Sequence, residues 1–292
     1  MTTQGGMNVA MVLVLTGVAA GAVAWRRGGL RPWLRPRALA EAPGRDVQIE
    51  LLDLAAALLL MLAGMLIFMP LRRALGLFHG SDPAGLNGLS SMQKALLTLL
   101  SQGLTQLPPV VYFVVRLCRQ SDGLRAGGVL PRRWRGDVGS GIVGFLLATP
   151  VVFLVAALTS AAAARFGHPA PERLHEGLDR LVQAGPGAEA LFLISFCLVA
   201  PLLEEAIYRG LVQTALLRAL GPKRRWGIVL GAAAVFALIH VQNVDWVALP
   251  GLWVLGVALG WLYERRGSLL PCVIVHALFN ACNCALALRS QG

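Results

Sequence analysis

Glu204 and Glu205 open the segment Glu204-Glu205-Ala206-Ile207-Tyr208-Arg209, which follows the apolar run Ala190 to Leu203. Three ionisable side chains therefore fall on one helix at membrane depth, where charge is costly and marks a functional position. Helical spacing separates their roles. Glu205 and Arg209 are four apart and share a face, which suits an ion pair. Glu204 is rotated about 100° away and has no partner in the motif. A buried, unpaired carboxylate is poised for proton transfer, because burial favours its neutral form. His240 closes Phe236-Ala237-Leu238-Ile239-His240, and His276 and Asn280 stand four apart in His276-Ala277-Leu278-Phe279-Asn280. Each feature alone has a plain explanation: a solvated helix end, an interfacial histidine, or a polar pair that holds helices together. Carboxylate, imidazole and carboxamide on three of the last four long hydrophobic segments are more simply explained by one shared site. Glu204, His240 and His276 could hold a divalent metal, zinc above all, with an open position for a water nucleophile. The soluble His-Glu-x-x-His pattern is absent, so such a site must be assembled from separate helices.

The elements that position these residues are hydrophobic helices. Of the 292 residues 56% are hydrophobic and 14% charged, with mean hydropathy +0.65, whereas a soluble domain carries about 25% charged residues. Apolar stretches long enough to cross a hydrocarbon core predict an all-α, polytopic bundle of about eight helices, near 7–25, 51–70, 95–117, 139–164, 187–217, 226–245, 246–263 and 268–288. The first stretch precedes Arg26 and Arg27, the reverse of a secretory signal's charge order, and reads as a retained helix. His240 lies about 21 Å along its helix and His276 about 12 Å along its own, at a rise of 1.5 Å per residue. A shared site therefore requires tilt or unequal helix starts.

The net charge of +11 does not signal nucleic acid, since the basic residues sit in short loops and form no continuous face. Alternate loops hold them unequally: Arg26 to Arg45, Arg116 to Arg135, Arg218 to Arg225 and Arg265-Arg266 on one side, Arg72, Arg73, Lys94, Arg165, Arg173, Arg180 and Arg289 on the other. The positive-inside rule then puts both termini outside a cell (plasma) membrane. Cys118, Cys197, Cys272, Cys282 and Cys284 read as packing residues, and Cys282 and Cys284, two apart, make a poor metal pair. Gly227-x-x-x-Gly231 and Gly256-x-x-x-Gly260 mark faces for close backbone packing. Asp53 and Asp245 read as boundary charges, and Arg165 to Gly187 as a polar connector or interfacial helix.

In order and approximate spacing, Glu204-Glu205-x-x-x-Arg209, Phe236-x-x-x-His240 and His276-x-x-x-Asn280 resemble the CAAX prenyl endopeptidase and bacteriocin-processing family of intramembrane proteases, over roughly residues 187 to 288. The resemblance implies that Glu204 activates the attacking water, that Glu205 and Arg209 support it, and that His240, His276 and Asn280 bind metal or stabilise the oxyanion. It implies membrane-associated or prenylated peptides or proteins as substrates. Two regions follow: residues 1–138, N-terminal helices without evident chemistry, and residues 139–292, a protease-like core with its motifs between 204 and 280. A proton- or cation-coupled transporter, or a non-catalytic scaffold or immunity factor, would use the same polar residues differently.

Overall fold

The computed structural model describes residues 47–77, 88–168 and 175–289. The expected helix at 7–25 lies outside the described residues. The rest is an integral membrane bundle, helical throughout, with no strand among the described residues. In chain order the helices are α1 (Leu51–Ala74), α2 (Ser91–Thr105), α3 (Leu107–Cys118), α4 (Trp134–Arg165), the short α5 (Glu176–Val182), α6 (Pro186–Leu220), α7 (Arg225–Ile239), α8 (Leu249–Arg266) and α9 (Leu270–Arg289). Among the described residues α1, α4, α6, α7, α8 and α9 are long and apolar enough to span a membrane.

Local chemistry sets the boundaries. The helix expected at 95–117 is two helices, because Pro108 and Pro109 lack the N–H groups that would continue it, and a new helix starts with proline in its first turn. Reciprocal bonds between Ser90 and Gln93 cap α2. The expected helix at 226–245 ends earlier, at Ile239, so His240 begins a single 3-10 turn instead of lying inside a helix. Inside α6, two π-helical stretches, Ser195–Val199 and Ala206–Gln213, flank the α-helical Ala200–Glu205. Pro201 cannot donate to the carbonyl four residues back, and a wider turn relieves the clash.

Burial shows which helices are central. Only 17% of the most apolar stretch of α1 and 22% of that of α4 are buried, against 44% for α6 and for α8. The α1 and α4 surfaces therefore suit lipid contact, with Leu66 and Leu158 exposed. The core gathers Phe113 and Leu117 of α3, Leu211 of α6, Leu255, Leu259 and Tyr263 of α8, and Cys272 and Val275 of α9. A β-carbon on Gly256 would meet Ala233 of α7 at 3.0 Å, and one on Gly260 would meet the Gln213 carboxamide at 2.9 Å, so this pair lets helices approach closely. Gly227 and Gly231 face open space and do not serve in that way.

Ion pairs set the relative heights of the helices. Arg266 of α8 reaches Asp137 of α4 at 2.7 Å, and Arg225 at the start of α7 reaches Glu264 of α8 at 3.1 Å. At the opposite end of the bundle, the Glu176 N–H donates to the Asn243 carbonyl at 2.9 Å beside a bridge between His175 and Val244. The connector that carries α5 is thereby stapled to the turn between α7 and α8.

Candidate active site

Adjacent positions on α6 send Glu204 and Glu205 in different directions. Glu204 lines a cavity of about 590 Å³ that His240, His276 and Asn280 also line. Glu205 and Arg209 are fully buried behind the cavity wall. Within the cavity, Glu204 Oε2 lies 3.6 Å from His240 Nε2 and 3.9 Å from His276 Nε2. This Oε2 is buried without a hydrogen-bond partner, a condition expensive enough to call for a ligand or a chemical role. His240 enters from the end of α7 and His276 from the second turn of α9, and both reach Glu204 despite their different positions along their helices.

The two imidazoles are oriented through their other nitrogens. His240 Nδ1 lies 2.7 Å from the Phe236 carbonyl one turn earlier. A carbonyl can only accept, so Nδ1 carries the proton, and in the neutral ring Nε2 offers a lone pair toward Glu204. His276 Nδ1 lies 2.9 Å from Glu205 Oε1, which likewise fixes the ring with Nε2 facing the cavity. Phe236 sits against both rings, with centroids 4.7 Å from His240 and 5.7 Å from His276. Glu205 thus has two charged or polar neighbours, His276 and Arg209. Its Oε2 is 3.2 Å from Arg209 Nε, an electrostatic contact in which neither atom gains hydrogen-bond geometry. The Arg209 guanidinium lies 5.1 Å from the Phe236 ring centroid, which compensates part of its burial.

Asn280, one turn beyond His276 on α9, donates one amide hydrogen to the Phe196 carbonyl at 2.8 Å. Phe196 lies in the first π-helical stretch of α6, where the regular ladder is disturbed. The bond fixes the carboxamide and leaves its second N–H for the cavity.

One residue of this cavity was not singled out by sequence. His175, the N-cap of α5, lines the cavity, accepts a hydrogen bond from the Gly177 N–H through Nδ1 at 2.9 Å, and lies edge-on to Phe196. Burial, reinforced by the nearby His240, pushes its pKa down to about 4. Its only signal in the sequence is a histidine directly before a short amphipathic helix, too common a pattern to act on.

The donor types of Glu204, His240 and His276 suit zinc, and a carboxylate behind a histidine is a usual outer-shell arrangement. In this arrangement, no group of three His, Cys, Asp or Glu side chains among the described residues is spaced to hold a metal ion. The charged residues outside the site have other duties. Asp53 is buried and bonded to Arg116 and Tyr112, and Asp245 caps the turn Trp246–Ala248. The described cysteines are all free.

Residues 186–282 match the family model described as Rce1-like, type II CAAX prenyl endopeptidase. The resemblance carried by the three motifs is borne out over that segment. An 87-residue stretch is 33% identical to the UPF0177 protein YaiF of Lactococcus lactis subsp. lactis (strain IL1403), covering 30% of this chain and 36% of that protein. No solved structure matches.

Proposed function

We propose that this chain is an intramembrane endopeptidase of the type II CAAX kind, acting on membrane-associated peptides or proteins. The observation that carries the reading is Glu204 Oε2, buried, unpartnered and facing two oriented imidazoles in a large cavity. Separations of 3.6 and 3.9 Å between heavy atoms leave room for one water at about 2.8 Å from each of two of them.

Glu204 takes a proton from that water as its oxygen bonds to the scissile carbonyl carbon, and His240 orients the water through Nε2. The carbonyl oxygen becomes an oxyanion, and the free Asn280 N–H lies in the same cavity to receive it. His276, braced by Glu205, aids as a lone pair that orients the water or, when protonated, as a second oxyanion donor. The carbon–nitrogen bond then breaks, and the proton held by Glu204 passes to the leaving amine. Glu205 and Arg209 are positioning residues, since they lie behind the wall and act through His276. Glu204, His240 and His276 have the donor types for zinc but are not spaced to hold it as they stand; were they to draw together around one, the ion would supply a water of lowered pKa and a polarising charge.

The test is cleavage of a fluorogenic peptide library by the purified protein in proteoliposomes. Wild type cleaves and Glu204→Gln does not, with no proton or cation flux in either. Cleavage by Glu204→Gln at the wild-type rate would remove Glu204 from the reaction, and substrate-free ion flux lost in the same variant would favour a transporter.

A further inference from the structure

The cavity has two unlike walls. Val152 and Phe153 of α4, Leu252 of α8 and Phe279 of α9 make one of them apolar, whereas α2 presents Lys94, Thr98, Ser101, Gln102 and Gln106. The α2 face also holds two groups that the protein leaves open. Gln106 Oε1 is buried without a hydrogen-bond partner, and Lys94, half-buried, makes no ion pair with any described residue. The other cations that line the cavity are engaged: Arg180 pairs with Glu176 at the rim, and Arg72 donates to the Leu77 carbonyl at 3.2 Å. Lys94 does not serve its own helix either. It stands in the first turn of α2, at the positive end of the helix dipole, where a cation costs stability. Glu176 and Glu204 are the carboxylates among the lining residues; the first is held by Arg180 and the second faces the two imidazoles. A counter-charge for Lys94 must therefore come from what occupies the cavity.

The packing of α2 on α6 shows how far that charge lies from the reacting centre. The two helices run side by side in the same direction, because Ser91 Oγ donates to the Gln183 carbonyl just before α6 at 3.4 Å and Ser195 Oγ donates to Gln102 Oε1 at 2.9 Å. Lys94 stands eight residues before Gln102, and Ser195 nine before Glu204. At a rise of about 1.5 Å per residue, Lys94 and Glu204 are about 25 Å apart along the bundle. Extended chain covers that span with about six to eight residues, at about 3.3 Å each. Gln106 lies between the two levels, with Oε1 open to a backbone N–H of such a chain.

From this register, and resting on the protease reading above, we infer that Lys94 is a specificity-determining residue that binds a carboxylate of the substrate polypeptide, about six to eight residues from the scissile bond. The ammonium takes either an acidic side chain or a chain terminus at that distance, since both offer the same group. The segment between runs along α2, its backbone against the polar face and its apolar side chains against Phe153, Leu252 and Phe279.

The test is equilibrium binding, which needs no turnover. Full-length Glu204→Gln in detergent is titrated with fluorescein-labelled, amidated peptides of alanine, leucine and phenylalanine that carry one Asp or one Asn near the end, and anisotropy is read. The Asp peptide binds about tenfold tighter than the Asn peptide, the worth of one charge-assisted bond. Adding Lys94→Gln brings the ratio to about one, and Lys94→Glu transfers the preference to a peptide with Lys in place of Asp. The Asn peptide with a free C-terminal acid separates the sources: tighter binding than its amide assigns the site to a terminus, and equal binding assigns it to a side chain. With wild type, cleavage products of the Asp peptide place the carboxylate about six to eight residues from the cut. Equal binding of Asp and Asn peptides, or a preference that survives Lys94→Gln, overturns the inference and leaves the protease reading intact. Failure of every peptide to bind, with no cleavage by wild type, counts instead against the protease reading on which the inference rests.

Discussion

Asp53 in the N-terminal region and Glu204 in the C-terminal region are both carboxylates buried in helices of the same bundle, and their surroundings are opposite. Asp53 Oδ1 accepts from the Tyr112 hydroxyl at 2.6 Å and from Arg116 at 2.7 Å, while Oδ2 accepts from the Glu50 N–H at 2.8 Å. Those bonds clamp α1 to α3 and cap the start of α1. Glu204 Oε2 has no hydrogen bond and looks into a cavity at two imidazoles. A carboxylate whose lone pairs are all occupied is structural, whereas one left open in a polar cavity is held ready for a proton. The difference lies in partners and not in residue type or depth.

The comparison breaks most sharply under paired substitution. Glu204→Gln should lower the cleavage rate by roughly 10³-fold, within the range of a general base, and leave the thermal midpoint close to wild type because no bond is lost. Asp53→Ala strands a partly buried Arg116 and should cost about 3 kcal/mol of stability, at the lower end for a broken buried pair, with turnover per folded molecule unchanged. Rates per active molecule and thermal unfolding in detergent check both. Loss of turnover in folded Asp53→Ala would erase the distinction.

Glu205 combines both characters, bonded to His276 and paired with Arg209. Glu205→Gln should lower turnover about 10- to 100-fold, the usual effect of removing a group that orients a histidine. It should also destabilise by about 3 to 5 kcal/mol, because Arg209 loses its counter-charge. The double variant Glu205→Gln, Arg209→Met should recover stability and not turnover. Recovery of both would reduce Glu205 to a neutraliser of Arg209.

Asn280→Ala removes one candidate oxyanion donor and should cost about 10²-fold in kcat, with KM nearly unchanged because the group acts on charge that develops in the transition state. It also frees the Phe196 carbonyl, so a modest loss of thermal stability accompanies it. A rise in KM at constant kcat would assign Asn280 to substrate binding.

The helical bundle was legible because apolar runs of bilayer length admit few other structures, and the 100° between Glu204 and Glu205 foretold which carboxylate stands apart. Tertiary facts were not legible. Pro108-Pro109 divides one expected helix into α2 and α3, and hydropathy does not register a lost N–H when both sides stay apolar. The end of α7 before His240 depends on a side chain taking a backbone carbonyl. That Glu205 serves His276 as well as Arg209 needs the register of α9 against α6, which no local spacing encodes. The pairs Arg266–Asp137 and Arg225–Glu264 read in sequence as loop charges, since each partner lies on a different helix.

The smallest expected effect concerns His175, whose contribution lies in pH dependence. Its folded-state pKa of about 4 lies below the ordinary value of 6.5, so between these values the unfolded chain binds more protons at this site than the folded one. Stability from the neutral ring is therefore full above about pH 6.5, falls as pH drops through the interval, and is gone below about pH 4. The slope from one such group is at most about 1.4 kcal/mol per pH unit. His175→Asn keeps an N-cap acceptor without a titrating ring, and should flatten that part of the stability profile. Unfolding midpoints of both proteins between pH 4 and 7 give the contribution by difference. Parallel profiles would mean that the ring takes up its proton in the folded connector as readily as in water, so that the connector opens to solvent and does not hold the rim of the cavity closed around His175.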